Sequence, residues 1–254
     1  MNNGLFGCLL TWIVDILPYL KQHAIYPSWE MDTHCYGRII PNLIRPKQIE
    51  AKSKRTETLT NLHRSHKYSY TQKECKLAHD LFFEYFEFSN EIEERVRSFH
   101  TNFQGETLGI HFRGTDKLHA EADYISIEDV LENISAFLVQ HPKKYTTIFV
   151  ITDEDRFLTN MMDRFKPQYK VIHTNARKSQ TGEPLHFHES TIETAKEALV
   201  DSLLLAKCEY VIKTSSCLSD WVKIWNPDIK VFNLNRFYFD WFPQCIIPVK
   251  SYKM

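Results

Sequence analysis

The sequence predicts an α/β protein whose C-terminal half is a doubly wound parallel sheet. From residue 107 onward, short apolar runs rich in β-branched residues alternate with amphipathic helical stretches. That alternation builds parallel sheets, because each crossover between parallel strands is long enough to be a helix. Polar side chains collect where the apolar runs stop, at His111, Arg113, Asp153 and Thr214. In open α/β sheets ligands bind at that edge. A chain of 254 residues that is 43% apolar can bury a core of this size, as one large domain or two smaller ones.

Leu5, Leu9, Trp12, Ile13, Ile16 and Leu20 recur with helical spacing, so the chain opens on a buried helix entered through the loop Asn2-Asn3-Gly4. The run is short for a membrane span, Asp15 interrupts it, and it lacks the basic start and cleavage site of a leader. The rest of the first ninety residues reads as irregular. Residues 45–76 carry nine Lys/Arg against three Asp/Glu, which suits a solvated face or a docking surface for a polar acceptor. Asn90 and Glu93 predict a capping box for a helix over 91–102. The pattern then gives a strand at 107–112, a helix at 126–140 opening on Ser126 and Asp129, a strand at 146–151 and a helix to about 165. A strand at 170–173 follows, then a helix from a Ser190/Glu193 capping box to about Lys207 and a strand at 209–213. A helix from near Leu218 and a last strand at 230–234 complete the series. The expected division is a smaller domain over 1–102 and a Rossmann-like domain over 103–254. Its aromatic tail (Phe237, Tyr238, Phe239, Trp241, Phe242) is expected to pack back across the domains, with a contact surface as the alternative.

Thirty-one basic residues against thirty-two acidic give a net charge of -1, which points to no nucleic-acid or membrane-surface partner. Six cysteines without a Cys-x-x-Cys pair suit a reduced, cytoplasmic setting. With only seven glycines and neither a GxGxxG nor a Walker loop, dinucleotide and P-loop readings fall away.

The densest polar cluster is Gly109–Lys117, with His111, Arg113, Thr115, Asp116 and Lys117 packed behind an apolar lead-in. Arg113 offers a rigid donor fork that fits a phosphate, and Lys117 adds a mobile charge, which together suit a diphosphate. A surface turn with a local Asp–Arg pair is the plainer alternative. Asp153 and Glu154 suit a pocket rim or an acidic first helical turn. Thr214-Ser215-Ser216 offers hydroxyls and backbone N–H groups at a helix start, for an anion or for simple capping. Asp201 stands among Leu199, Val200, Leu203, Leu204 and Leu205. A charge buried there needs a specific donor, either the N–H edge of a nucleobase or an internal ion pair. His186, His188 and Glu189 lack a third convincing metal ligand. Asp153-Glu154-Asp155 spells the Asp-x-Asp of metal-dependent sugar transferases. Because Arg113 and Lys117 neutralise the same phosphates, no metal is required.

In order and spacing these residues resemble the fucosyltransferases that use GDP-fucose, most nearly the α1,6 enzymes of the nodulation and core types. Those carry His-x-Arg-Arg-Thr-Asp-Lys where this chain has His111-Phe112-Arg113-Gly114-Thr115-Asp116-Lys117. Glu121, Thr152-Asp153-Glu154, Asp201 and Thr214-Ser215-Ser216 match the family's later motifs. The resemblance implies a GT-B-like fold of two Rossmann-like domains, here with the N-terminal one abbreviated. It implies an inverting, metal-independent transfer of fucose from GDP-fucose to a glycan acceptor, without a cofactor. Arg113 would hold the β-phosphate, and Glu121, steered by Lys117, would be the base, with Asp123 as the second choice. His111, Asp116, Asp153, Glu154, Asp201, Thr214, Ser215 and Ser216 would bind the donor. Gly114 departs from the pattern where a second arginine is expected, and Cys217 replaces a nucleotide-contacting serine. Two other readings remain: a metal-dependent transferase using Asp153 and Asp155, and a catalytically silent GDP-sugar-binding protein.

Overall fold

The structure, a computed structural model, describes residues 5–33, 36–47, 71–114, 122–179 and 191–235. Its centre is a five-stranded, wholly parallel sheet built from β5 (Thr107–Phe112), β6 (Thr147–Thr152), β7 (Lys170–His173), β8 (Tyr210–Lys213) and β9 (Lys230–Asn233). The spatial order is β7-β6-β5-β8-β9. The chain therefore steps outward from β5 through β6 to β7, then returns to lay β8 on the other side of β5. The C-terminal ends of β5 and β8 flank the point where the order reverses, which is where a crevice opens in such sheets.

Side-chain alternation assigns the two faces. Leu108, Ile110, Phe112, Ile148, Val150, Val171 and Ile212 point into one apolar layer with the helices α5 (Ile127–Gln140) and α6 (Asp155–Phe165). Phe149, Ile151 and Val211 point into a second layer with α7 (Ile192–Leu205). Gly109 sits at the centre of β5, where a Cβ would lie 2.7 Å from Leu205 Cδ1 and 3.0 Å from Cys208 Sγ. Its missing side chain lets α7 approach the sheet closely.

The N-terminal elements join this second layer. The opening helix appears as expected: a π-helical turn at Leu5–Leu10 runs into α1 (Thr11–Gln22), burying Leu5, Ile13, Ile16 and Leu20. The reading of the next seventy residues as irregular is corrected. Two short ribbons form, β1 (Asp32–Thr33) with β2 (Gly37–Arg38), and β3 (Ile44–Pro46) with β4 (Phe86–Phe88). A turn, α2 (Ile39–Asn42), joins the two ribbons, and a long helix, α3 (Gln72–Tyr85), lies between β3 and β4. A capping box between Thr71 and Glu74 starts α3, and Cys75, Ala78, Leu81, Phe82 and Tyr85 form its buried stripe. Most of the basic stretch, residues 48–70, lies outside the described residues, as does the aromatic tail.

Two caps also differ from expectation by one residue. α4 (Asn90–His100) is capped by Ser89, whose hydroxyl accepts from Ile92 N, while Asn90 accepts from Arg45 instead. α7 is capped by Thr191 with Thr194 in place of Ser190 with Glu193. The freed Glu193 serves a larger purpose. With Glu91 it brackets Arg95 and Lys196 in a four-charge network joining α4 to α7, with Lys196 Nζ 2.7 Å from Glu91 and 2.8 Å from Glu193. No helix among the described residues is long and apolar enough to cross a membrane.

Candidate functional site

Three strand ends meet at the reversal point. β5 ends in His111-Phe112-Arg113-Gly114, and its register beside β8 puts His111 opposite Lys213. Thr214 N donates to His111 O at 3.0 Å, and Arg113 N donates to Thr214 Oγ1 at 2.8 Å. From the other side, Asp153 at the end of β6 accepts from Gly114 N at 3.0 Å through Oδ1. Its Oδ2 lies 3.1 Å from Arg113 Nη1. Thr214 thus fixes the Arg113 backbone and Asp153 its guanidinium, while a fifth of the side chain's surface stays exposed. Such a fixed, outward-facing donor fork suits a phosphate.

His111 is buried beneath this grip. Burial, then the nearby Lys213 and Arg113 charges, push its pKa well below the ordinary histidine value, so the ring is neutral at pH 7. Its Nδ1 has no hydrogen-bond partner among the described residues. Lys213 is itself fully buried and is neutralised by Asp220 at 2.5 Å. A charged residue in the run Tyr210-Val211-Ile212-Lys213 demanded a partner, and that demand was the sequence signal for Asp220.

The serines behave differently from Thr214. Ser215 N and Oγ both donate to Asn235, at 2.7 and 2.9 Å, and Asn233 Nδ2 donates to Ser215 Oγ at 3.0 Å. Ser215 thus anchors the segment after β9. Asn233 and Asn235 escaped notice because nothing in the sequence marks which polar residue will close such a loop. Ser216 precedes α8 (Cys217–Asp220), a single turn followed by another, α9 (Val222–Trp225). One turn carries little of the dipole that makes a longer helix start attract anions. Asp123 is exposed, and its carbonyl accepts from Asn235 Nδ2 at 2.9 Å.

A second feature lies on the α7 face of the sheet. Asp201 is 5% exposed and accepts a 2.7 Å hydrogen bond from the Thr174 hydroxyl, just past β7. Among the described residues its hydrogen-bond partner is this hydroxyl rather than a cation. Burial raises its carboxyl to about 7, with the Thr174 hydrogen bond and Lys178 opposing the rise. Thr174 and Asp201 line a cavity of about 480 Å³ walled on the far side by Glu94, Arg95, Ser98 and Phe99 of α4. The segment 174–179 then runs back to the grip: Ser179 N donates to Asp153 O at 2.7 Å, and Ser179 pairs with Glu154. Cavity and grip are thus tied together by one short stretch of backbone. Asp116, Lys117 and Glu121 lie outside the described residues, as do His186, His188 and Glu189. Among the described residues no His, Cys, Asp and Glu cluster is arranged to hold a metal ion.

The family model for the N- and catalytic domains of α-(1,6)-fucosyltransferases matches residues 43–219, more than half of the chain and nearly all of the site above. The chain belongs to the α1,6-fucosyltransferase family. It is 30% identical over 158 residues to nodulation protein Z of Sinorhizobium fredii (strain NBRC 101917 / NGR234), covering 57% of this chain and 48% of that protein. Among solved structures, the NodZ α1,6-fucosyltransferase soaked with GDP-fucose is 24% identical, with a TM-score of 0.45 over 62% of this chain and 49% of that one. The Arabidopsis thaliana FUT1 mutant R284K in complex with GDP is 16% identical, with a TM-score of 0.44 over 64% of this chain and 36% of that one. The chain spans about half the length of the curated relative it matches.

Proposed function

We propose that this protein transfers fucose from GDP-fucose to a hydroxyl of a glycan acceptor. The observation that carries the reading is the knot of Arg113, Thr214 and Asp153 at the strand reversal, tied to a cavity holding the half-ionised Asp201. Arg113 binds the β-phosphate and meets the charge that grows there as the bond to fucose C1 breaks. A preorganised donor of this kind typically contributes about 3–4 kcal/mol to the transition state. The guanine base enters the cavity, where its N–H groups donate to Asp201 and hold it ionised. His111, kept neutral, supplies a hydrogen-bonding group without adding charge beside the nucleotide.

The acceptor oxygen attacks C1 from the face opposite the leaving group, inverting the anomeric centre, and its proton passes to Glu121. Lys117 steers Glu121, and Asp116 completes the donor loop. In this GT-B scheme residues 103–254, with α4 as one wall of the base cavity, carry the donor, and the rest of residues 1–102 belongs to the acceptor side. The transfer is metal-free: both Asp153 oxygens already serve Arg113 and Gly114, so the residue has no call to ligate a cation.

A thermal-shift panel of GDP, GDP-fucose, GDP-mannose and UDP-sugars, followed by a transfer assay with and without EDTA, tests this. GDP and GDP-fucose should stabilise the protein, UDP-sugars should not, and EDTA should leave transfer unchanged. Equal response to UDP-sugars would remove guanine from the reading. EDTA-sensitive transfer restored by Mn²⁺ would overturn the metal-free step, and GDP binding without transfer to any acceptor would leave only a binding protein.

A further inference from the structure

Asn235, two residues past β9, is a buried side chain that the transfer chemistry above does not use. It is 4% exposed, yet it bonds to two separate parts of the chain. Its Oδ1 accepts from Ser215 N at 2.7 Å, and its own carbonyl accepts from Ser215 Oγ at 2.9 Å. Its Nδ2 donates to the carbonyl of Asp123 at 2.9 Å. With a backbone N–H on one side and a backbone carbonyl on the other, only an amide side chain satisfies both, in one orientation. A carboxylate would face the Asp123 carbonyl without a proton to offer, and an apolar residue would leave both groups unpaired.

These bonds reach one end of a segment whose other end is the phosphate grip. Arg113 opens the segment, with its N–H on Thr214 Oγ1. Ala122, fully buried, and Asp123, with its carbonyl on Asn235, close it. Both ends therefore hang from consecutive residues at the tip of β8. Thr214 holds the first directly, and Ser215 holds the second through Asn235. The opening end has its own support in the bond from Thr214 N to His111 O at 3.0 Å. The closing end depends on the amide for its link to β8.

We infer that Asn235 is a positioning residue for the transfer step, setting the closing end of this segment against the strand end that seats Arg113. The inference rests on the donor reading above, in which the segment brings the base to the acceptor. Glu121 stands two residues before the clamped carbonyl. A shift of that end moves the base relative to the leaving group, and a displacement of about 1 Å in a reacting group can cost on the order of 10²-fold in rate. Phosphate binding relies on Arg113, whose seat on Thr214 does not pass through Asn235. Loss of the clamp therefore falls on turnover rather than on donor affinity. Asn226 supplies a matched control: its Oδ1 accepts from Asp228 N at 3.3 Å and its Nδ2 donates to Ala206 O at 3.0 Å. The same pair of bonds there lies before β8 and β9 instead of after them.

The test compares the full chain with Asn235→Asp, Asn235→Ser and Asn226→Asp. Three quantities are read: Tm, GDP-fucose affinity by calorimetry, and kcat as GDP released from saturating GDP-fucose, with water and a mixed oligosaccharide pool as acceptors. Asn235→Asp keeps the acceptor for Ser215 N and loses only the donation to Asp123. It should lower kcat by about tenfold or more, with GDP-fucose affinity within about twofold of the unaltered chain. Asn235→Ser removes both side-chain bonds without adding charge, and it should show the same split even where the Asp variant folds poorly. Asn226→Asp should lose a similar amount of Tm and keep its kcat. Unchanged kcat in both Asn235 variants would overturn the proposal. So would kcat and donor affinity falling together, or an equal loss of kcat in Asn226→Asp, each of which would reduce Asn235 to a structural tie. If the unaltered protein neither bound nor turned over GDP-fucose, the donor reading would fall first and this inference with it.

Discussion

At the tips of β5 and β6, Arg113, Gly114 and Asp153 are bound to one another, and Thr214 closes the set from β8. In the cavity beside α7, Asp201 has the Thr174 hydroxyl as its hydrogen-bond partner among the described residues, and burial raises its carboxyl to about 7. The grip and the cavity thus stand in opposite electrostatic conditions. The grip is already satisfied, and a phosphate must share Arg113 with Asp153. Asp201 is strained by desolvation and is relieved when N–H donors arrive. On the proposed donor reading, such a site gains orientation at the diphosphate and discrimination at the base, and it exchanges a proton in doing so.

The largest effect should come from breaking the grip. Arg113→Ala should lower transfer by about 10²–10³-fold while circular dichroism shows an intact fold; near-normal turnover would remove Arg113 from the reaction. Next, Asp201→Asn keeps an oxygen for Thr174 but removes the charge. It should weaken GDP-fucose by about 10- to 100-fold. Stability should move the other way. The folded carboxyl titrates above its ordinary 3.8, so the folded state holds that proton more tightly than the unfolded chain. The resulting stabilisation is full below pH 3.8 and is lost as pH rises to about 7. At pH 8 the Asn variant should therefore be more stable by about 1–4 kcal/mol, read as a higher Tm. A Tm unchanged at pH 8 would mean that Asp201 is not desolvated.

Thr214→Val should cost about 1–3 kcal/mol by leaving Arg113 N unsatisfied, visible in urea unfolding, with a parallel loss of transfer because Arg113 loses its seat. The smallest effect is expected in the charge network joining α4 to α7. Lys196→Met should cost about 1 kcal/mol, and the difference should shrink in 1 M salt. A loss of several kcal/mol there would make α4 a structural strut for the cavity.

Much of this was legible in the sequence, for local reasons. Strands β5 to β9 and the helices between them announce themselves because each buries its own periodic stripe against a neighbour close in sequence. The polar strand ends followed from the same periodicity. The ribbon β3–β4 did not, because Ile44 pairs with Phe88 across a long separation. Helix α3 carried a readable signal in Thr71 and Glu74, but the surrounding run of lysines and arginines hid it. Asp201 was recognised as needing a donor, yet Thr174 could not be named, since the fold alone brings the end of β7 to the middle of α7. Ser215, expected at the donor, is tied to Asn235 in the structure, a contact the sequence does not announce because hydroxyls at strand ends serve loops as readily as phosphates.

The most direct measurement is a calorimetric titration of GDP-fucose into the full chain between pH 5.5 and 8.5. Both phosphates of this ligand are esterified on either side, so neither titrates in that window. The affinity should be flat above pH 8 and fall by about 30-fold towards pH 5.5 as Asp201 takes up its proton. Asp201→Asn should bind weakly and without that dependence. No binding at any pH, or a pH profile that survives in Asp201→Asn, would contradict the account.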